Sequence, residues 1–294
     1  MQLEGTVCPI PTPTMGRDVD HDGLREYTKH LADSGVHGFF PCGSIGEFSS
    51  LTTAQRREVL ETVVDHAEGV PVLAGCGATS AADVSHHIDE AATAGVDAAV
   101  VVTPYYLQTT QDGLHRFFST VADDSPLPLL LYNIPALTGE HLSVDLVTDL
   151  ADHPQIVGLK DTSGDLTFLY DVIESTPSEF DVFQGASQLS VASLDIGASG
   201  LIAGPANVFP ERVVDLYDNY RTGNDKHAQQ LMNSVVNPVV SAMNGIPTAA
   251  AMKYLVSRVG YDIGTPLPPL PKLTEEQRRT LDRCYESILA SSLV

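Results

Sequence analysis

The chain contains no tryptophan, only five lysines in 294 residues, and 16 basic side chains against 38 acidic ones, for a net charge of −22. A surface of that sign repels nucleic acid and anionic lipid, so neither is an expected partner. Cysteine is scarce as well. Cys8, Cys42, Cys76 and Cys284 show no CxxC spacing, which argues against a zinc ribbon or a redox pair and fits free thiols in a cytoplasmic protein. No apolar run is long enough for a membrane span. The opening MQLEGTVCPIPTP lacks the basic-then-apolar order of a secretion signal. The acids are not gathered in a tail, and 43% hydrophobic residues is too many for a disordered acidic chain. Diffuse acidity with few lysines reads as adaptation to high salt, where screening relieves self-repulsion.

What is present is a regular alternation. Short apolar runs at Gly5–Cys8, Gly38–Cys42, Pro71–Cys76, Ala98–Thr103, Leu127–Tyr132, Ile156–Lys160, Asp181–Gln184 and Gly200–Ala203 read as strands. Helical patterns lie between them, near 20–34, 52–67, 81–94, 111–123, 143–151, 166–175, 189–197 and 207–222. Thr52, Ser143 and Asp165 stand where helix N-caps belong, and Gly35, Gly69 and Gly95 follow helix ends. Eight strand–helix units with near-continuous apolar strands predict an α/β fold, a closed parallel (β/α)8 TIM barrel, over 1–222. Residues 223–294 read as about three further helices packed on it, Asp225–Met243, Thr248–Val259 and Thr274–Leu289, with the proline-rich connector Gly264–Pro271 before the last. An open doubly wound sheet would need a Gly-rich turn after the first strand, and Pro9-Ile-Pro-Thr-Pro is not one.

In such a barrel the C-terminal strand ends face the active-site mouth. Lys160 ends strand six in IVGLKDTSGD, an odd place for one of so few lysines. An amine desolvated by apolar walls loses its preference for charge, and a neutral amine is a nucleophile toward a ketone. The competing reading is a structural lysine paired with an acid such as Asp161. Tyr132 ends strand five, Tyr105 and Tyr106 follow strand four, and GSIGE, residues 43–47, follows strand two. His86 and His87 are neighbours on one helix and cannot face one metal, and the strand-end cysteines fit as small core residues, so no metal and no cofactor is expected.

The motifs GSIGEFSSLTTAQ, PVLAGCGA, VTPYY, YNIPALTG, GLKDTSGD and NGIPTAAAMKYL, in this order over nearly the whole chain, resemble the lysine-dependent pyruvate lyases. That family includes dihydrodipicolinate synthase, N-acetylneuraminate lyase and the 2-keto-3-deoxy sugar-acid aldolases. The resemblance implies a (β/α)8 barrel with extra C-terminal helices, often assembled as a homotetramer. It implies that Lys160 forms the Schiff base and that Tyr132 moves protons and touches the substrate carboxylate. Gly43, Ser44 and Ile45 would form the carboxylate-binding loop, and Gly185 and Ile202 would line the pocket. Tyr106 matches a tyrosine that enters the neighbouring subunit's site in some members. Glu47 is expected to anchor its loop near a helix start.

Two departures from the family pattern shape the expected activity. Ile45 stands where many members carry a second hydroxyl, which breaks a tyrosine–threonine–tyrosine proton relay. Leu137 stands where dihydrodipicolinate synthases usually carry arginine, so a second substrate with its own carboxylate loses a bidentate partner. The expectation is therefore a metal-independent aldolase cleaving a 2-keto-3-deoxy sugar acid, 2-keto-3-deoxygluconate above all, to pyruvate and an aldehyde. A keto-deoxy acid dehydratase, N-acetylneuraminate lyase, or a non-catalytic sugar-acid binding protein on the same scaffold are the alternatives.

Overall fold

The computed structural model describes residues 3–291. Eight strands form in the expected order: β1 Gly5–Cys8, β2 Gly38–Phe39, β3 Leu73–Gly75, β4 Ala98–Val102, β5 Leu129–Asn133, β6 Ile156–Asp161, β7 Asp181–Gln184 and β8 Gly200–Ile202. They pair in parallel as β2-β1-β8-β7-β6-β5-β4-β3. A parallel bridge between Phe39 and Val72 brings β2 against the β3 edge, and the Phe39 amide donates to the Pro71 carbonyl at 2.8 Å. The ring closes there, so the fold is the (β/α)8 barrel.

Side-chain alternation divides the core in two. Val7, Leu73, Val100, Leu130, Phe183 and Ile202 point into the barrel and pack on one another. Their outward neighbours, among them Leu129, Leu131, Leu159, Val182 and Leu201, join the larger apolar layer beneath the helices. Burial on both faces is why these strands read as continuous apolar runs instead of alternating ones.

The surrounding helices are α1 His21–Asp33, α2 Thr53–His66, α3 Ala81–Ala94, α4 Gln111–Asp124, α5 Val144–Ala151, α6 Leu166–Ser175, α7 Ser190–Asp195 and α8 Pro210–Arg221. The expected caps are in place. Thr52 forms a full capping box with Gln55, Ser143 accepts from the Leu146 amide, and Asp165 accepts from Thr167 and Phe168. Gly35, Gly69 and Gly95 all take left-handed backbone after their helices. Beyond α8 come α9 Asp225–Leu231, α10 Asn237–Ala242, α11 Thr248–Val259 and α12 Glu275–Ala290. No helix among the described residues is long and apolar enough to cross a membrane.

Several boundaries differ from the sequence reading. The second strand stops at Phe39, because Cys42 adopts φ 55 and turns the chain into the loop above the barrel. The third strand is likewise shorter, and Cys76 lies just past it. The helix read as Asp225–Met243 is broken by a wide turn at Met232–Val236. Pro238 explains the break: it has no amide hydrogen and its ring would crowd the carbonyl one turn back. A small hairpin pairing Thr14–Met15 with Asp18–Val19 and a one-turn helix at Pro135–Thr138 carry no clear sequence signal.

Candidate active site

Lys160 and Tyr132 are register partners on β6 and β5, so their side chains rise together at the top of the barrel. Lys160 is 5% exposed and Tyr132 is 4% exposed. The Lys160 Nζ lies 4.5 Å from the Phe40 ring centre and 3.9 Å from that of Tyr132. Burial pushes its pKa below the ordinary lysine value, while Tyr132 opposes the shift. Asp161 is not its partner. That side chain points to the other face of the strand, where its carboxylate accepts from Asn133 Nδ2 at 2.7 Å and Ser163 Oγ at 2.8 Å. Lys160 makes no ion pair among the described residues.

The loop after β2 builds the opposite wall. At Gly43 a Cβ would lie 2.6 Å from the Phe40 ring, so glycine lets this loop sit on the aromatic wall of Lys160. The amides of Ser44 and Ile45 donate to no protein acceptor among the described residues, and both residues line the cavity. Two free amides in a loop suit a carboxylate. Glu47 anchors the loop, but not through a helix dipole, since only a three-residue 3-10 turn follows it. Its Oε1 lies 2.7 Å from Lys253 Nζ, with both side chains essentially without exposure. Its Oε2 accepts from the Leu267 amide at 2.6 Å.

A cavity of about 590 Å³ opens between these walls. It is lined by Lys160, Tyr132, Ser44, Ile45, Leu137, Gly185 and Ile202, so the structure brings most of the sequence-predicted residues together. Gly185 has a specific reason to be glycine: a Cβ there would collide with the Thr162 hydroxyl and stand 3.0 Å from Lys160 Cε. Two predicted residues are not on the wall. Gly43 supports it from behind. Tyr106, with left-handed backbone at φ 84, is 91% exposed and lies outside the wall of its own chain's cavity.

Sequence reasoning missed Phe40, Thr162, Ser163, Gln188 and Thr248 on the wall, and Lys253 behind it. Thr162 carries a buried hydroxyl oxygen with no partner among the described residues. Lys253 was visible by the argument used for Lys160, a rare lysine in an apolar stretch, AAAMKYL. The three strand-end cysteines are core: burial pushes the Cys42 thiol up to about 12 and raises those of Cys8 and Cys76 too, so none of the three is a ready thiolate.

A (β/α)8 barrel presenting a desolvated amine in a cavity whose largely apolar wall carries a few hydroxyls is the apparatus of the class I aldehyde-lyases, enzymes that work through a lysine Schiff base. Comparison with known proteins agrees and narrows the class. Residues 3–288 match the Dihydrodipicolinate synthetase family, and the chain belongs to it. The 4-hydroxy-tetrahydrodipicolinate synthase of Methanopyrus kandleri is 36% identical over 96% of this chain and 95% of its own. The crystal structure of dihydrodipicolinate synthase DapA-2 from Bacillus anthracis superposes with a TM-score of 0.94, at 29% identity over 98% of this chain and 99% of that one. YagE of E. coli, solved in complex with pyruvate, superposes with a TM-score of 0.92, at 30% identity over 97% of this chain and 98% of that one. The protein is thus a pyruvate-class Schiff-base lyase.

Proposed function

We propose that this lyase cleaves a 2-keto-3-deoxy sugar acid of the 2-keto-3-deoxygluconate type to pyruvate and an uncharged hydroxyaldehyde. The observation that carries the substrate class is the cavity wall. Thr162, Ser163, Gln188 and Thr248 offer hydroxyl and amide groups, and among the described residues the wall contains no arginine. Its charged members are Lys160 and Glu47, and Glu47 is neutralised by Lys253. Such a wall suits a polyol chain and offers nothing to hold a phosphate or a second carboxylate.

In this reading the substrate carboxylate sits on the Ser44 and Ile45 amides. The neutral Lys160 amine attacks the C2 ketone, and loss of water leaves an iminium. Tyr132, with bound water, takes the C4 hydroxyl proton. The C3–C4 pair then flows into the iminium, which releases the aldehyde and leaves an enamine. Protonation at C3 and hydrolysis return pyruvate and the free amine. Ile45 packs by Gly204 and passes no proton, so the relay ends at Tyr132 and solvent.

A panel of keto-deoxy acids assayed for pyruvate release tests this. Unphosphorylated acids should be cleaved in preference to phosphorylated ones, and an unbroken dehydrated product would make the enzyme a dehydratase. The name of the Methanopyrus relative favours a second reading, condensation of pyruvate with an aldehyde that carries its own carboxylate. Against it stands Leu137, 66% exposed at the mouth, which supplies no donor. Pyruvate consumption with such an aldehyde, and none with neutral hydroxyaldehydes, would establish the second reading instead.

The resemblance also supports assembly as a homotetramer. Tyr106 and Leu107, 91% and 76% exposed, form an apolar tip that a neighbouring subunit would cover. The acidic surface supports function in concentrated salt.

A further inference from the structure

We propose that Glu47 and Lys253 are positioning residues that set the carboxylate-binding loop for pyruvate. This inference rests on the reading given under Proposed function. The pair is an unusual object: two opposite charges 2.7 Å apart, 206 positions apart in sequence, with no meaningful exposure. Beyond its ion pair with Glu47, the Lys253 amine donates to Thr14 Oγ1 at 3.1 Å and to the Thr265 carbonyl at 3.2 Å. The second Glu47 oxygen holds the Leu267 amide. One node therefore joins the N-terminal hairpin, the loop after β2, helix α11 and the proline-rich connector.

Three of those segments form cavity wall next to the node. Ser44 and Ile45 lie just before Glu47, Thr248 and Ala249 sit one turn before Lys253, and Pro269 and Leu270 follow Leu267. Glu47 itself adopts φ 56, a backbone conformation that non-glycine residues seldom take, and that turn carries its carboxylate inward to Lys253. Well-packed apolar residues stabilise a fold as well as a buried ion pair does, so stability alone gives no reason for charge here. Geometry does. A carboxylate with one oxygen on an ammonium and the other on an amide is held in one orientation, and the two loop amides before it are held with it. With side chains 1% and 0% exposed, the pair acts through those amides.

The test is a double-mutant cycle on Lys253→Met, Glu47→Gln and the double variant, read by borohydride trapping of pyruvate across a pyruvate titration. Each single variant leaves one buried charge uncompensated. We expect each to raise the half-saturating pyruvate concentration about tenfold, a usual size for coupled groups in one network. The double variant is electroneutral and keeps an acceptor for the Leu267 amide, but it lacks the ammonium that orients the loop, so half-saturation should stay raised at about the level of the single variants. The pH midpoint of trapping should stay unchanged in all three, because the Phe40 and Tyr132 walls around Lys160 are untouched. Should Lys253→Met fail to fold, Glu47→Gln, which keeps the Leu267 bond, carries the test alone. Single variants with a lower melting temperature but wild-type half-saturation would overturn the inference and leave a purely structural pair. A double variant with wild-type half-saturation would overturn it as well, since the loop would then be set without the pair. Wild-type protein that traps no pyruvate would overturn the function reading itself, and this inference with it.

Discussion

Replacing Gly185 by alanine perturbs Lys160 without touching a reacting group. A Cβ at that position meets the Thr162 hydroxyl, the Asp161 carbonyl at 3.0 Å and Lys160 Cε at 3.0 Å. The Thr162 oxygen has no partner among the described residues, so it can rotate away at little cost. The other two contacts stay a few tenths of an ångström too tight, and the β-strand carbonyl cannot yield. The Lys160 side chain must therefore give. Overpacking of this kind costs about 1–3 kcal/mol of stability, or roughly 2–5 °C in melting temperature for a chain of this size. Misplacing a reacting group by 1 Å costs about 10²-fold, so a few tenths should slow trapping about three- to tenfold. The assay is the rate of borohydride trapping at saturating pyruvate, with the melting temperature measured alongside. The double variant Thr162→Ala/Gly185→Ala removes the hydroxyl clash and keeps the Lys160 contact, so it should remain slow. A double variant that traps at the wild-type rate would refute the claim that the glycine makes room for the lysine.

Tyr132→Phe should lower cleavage about 10²–10⁴-fold, the usual range for a proton-transfer group, while the melting temperature barely moves; near-normal cleavage would assign the proton to another group. Because burial holds the folded Lys160 pKa below its unfolded value, the trapping rate should rise with pH to a plateau, with its midpoint below that of free lysine. The matching stability penalty is full below the folded value and is relieved as pH climbs from there to the ordinary lysine value. Phe40→Ser, which admits water to the amine at a cost of about 3–5 kcal/mol, should move that midpoint up; an unmoved midpoint would mean the ring does not set the environment of Lys160. With a net charge of −22, melting temperature should rise up to molar salt, as the Debye length falls from about 30 Å at 0.01 M to about 3 Å at 1 M; an unchanged melting temperature would remove the high-salt reading.

The barrel was legible in the sequence because the buried strands are compact apolar runs and six of the eight barrel helices start on a capping side chain. Lys160 and Tyr132 were legible because strand ends fix which residues crown a barrel. The far wall was not. Thr248 and Leu270 reach the cavity only through the packing of the C-terminal helices and the connector, and no local pattern encodes that approach. The Glu47–Lys253 pair is invisible for the same reason: its members come from opposite ends of the chain and meet only after the barrel closes. Tyr106 illustrates a different limit, since the residue pattern identifies the tyrosine but not the direction its left-handed backbone sends it. Cys42 does too: Pro41 and Gly43 flank it as breakers and signal an early end to β2, but they do not announce its own φ 55 turn.

The central claim is that Lys160 forms a Schiff base with pyruvate. The most direct measurement is incubation with pyruvate and borohydride, followed by peptide mass mapping of the chain's five lysines. One covalent adduct is expected, on the peptide containing Lys160, and none in a folded Lys160→Arg variant, since arginine supplies no neutral amine. An adduct on another lysine, or no adduct at all, would contradict it.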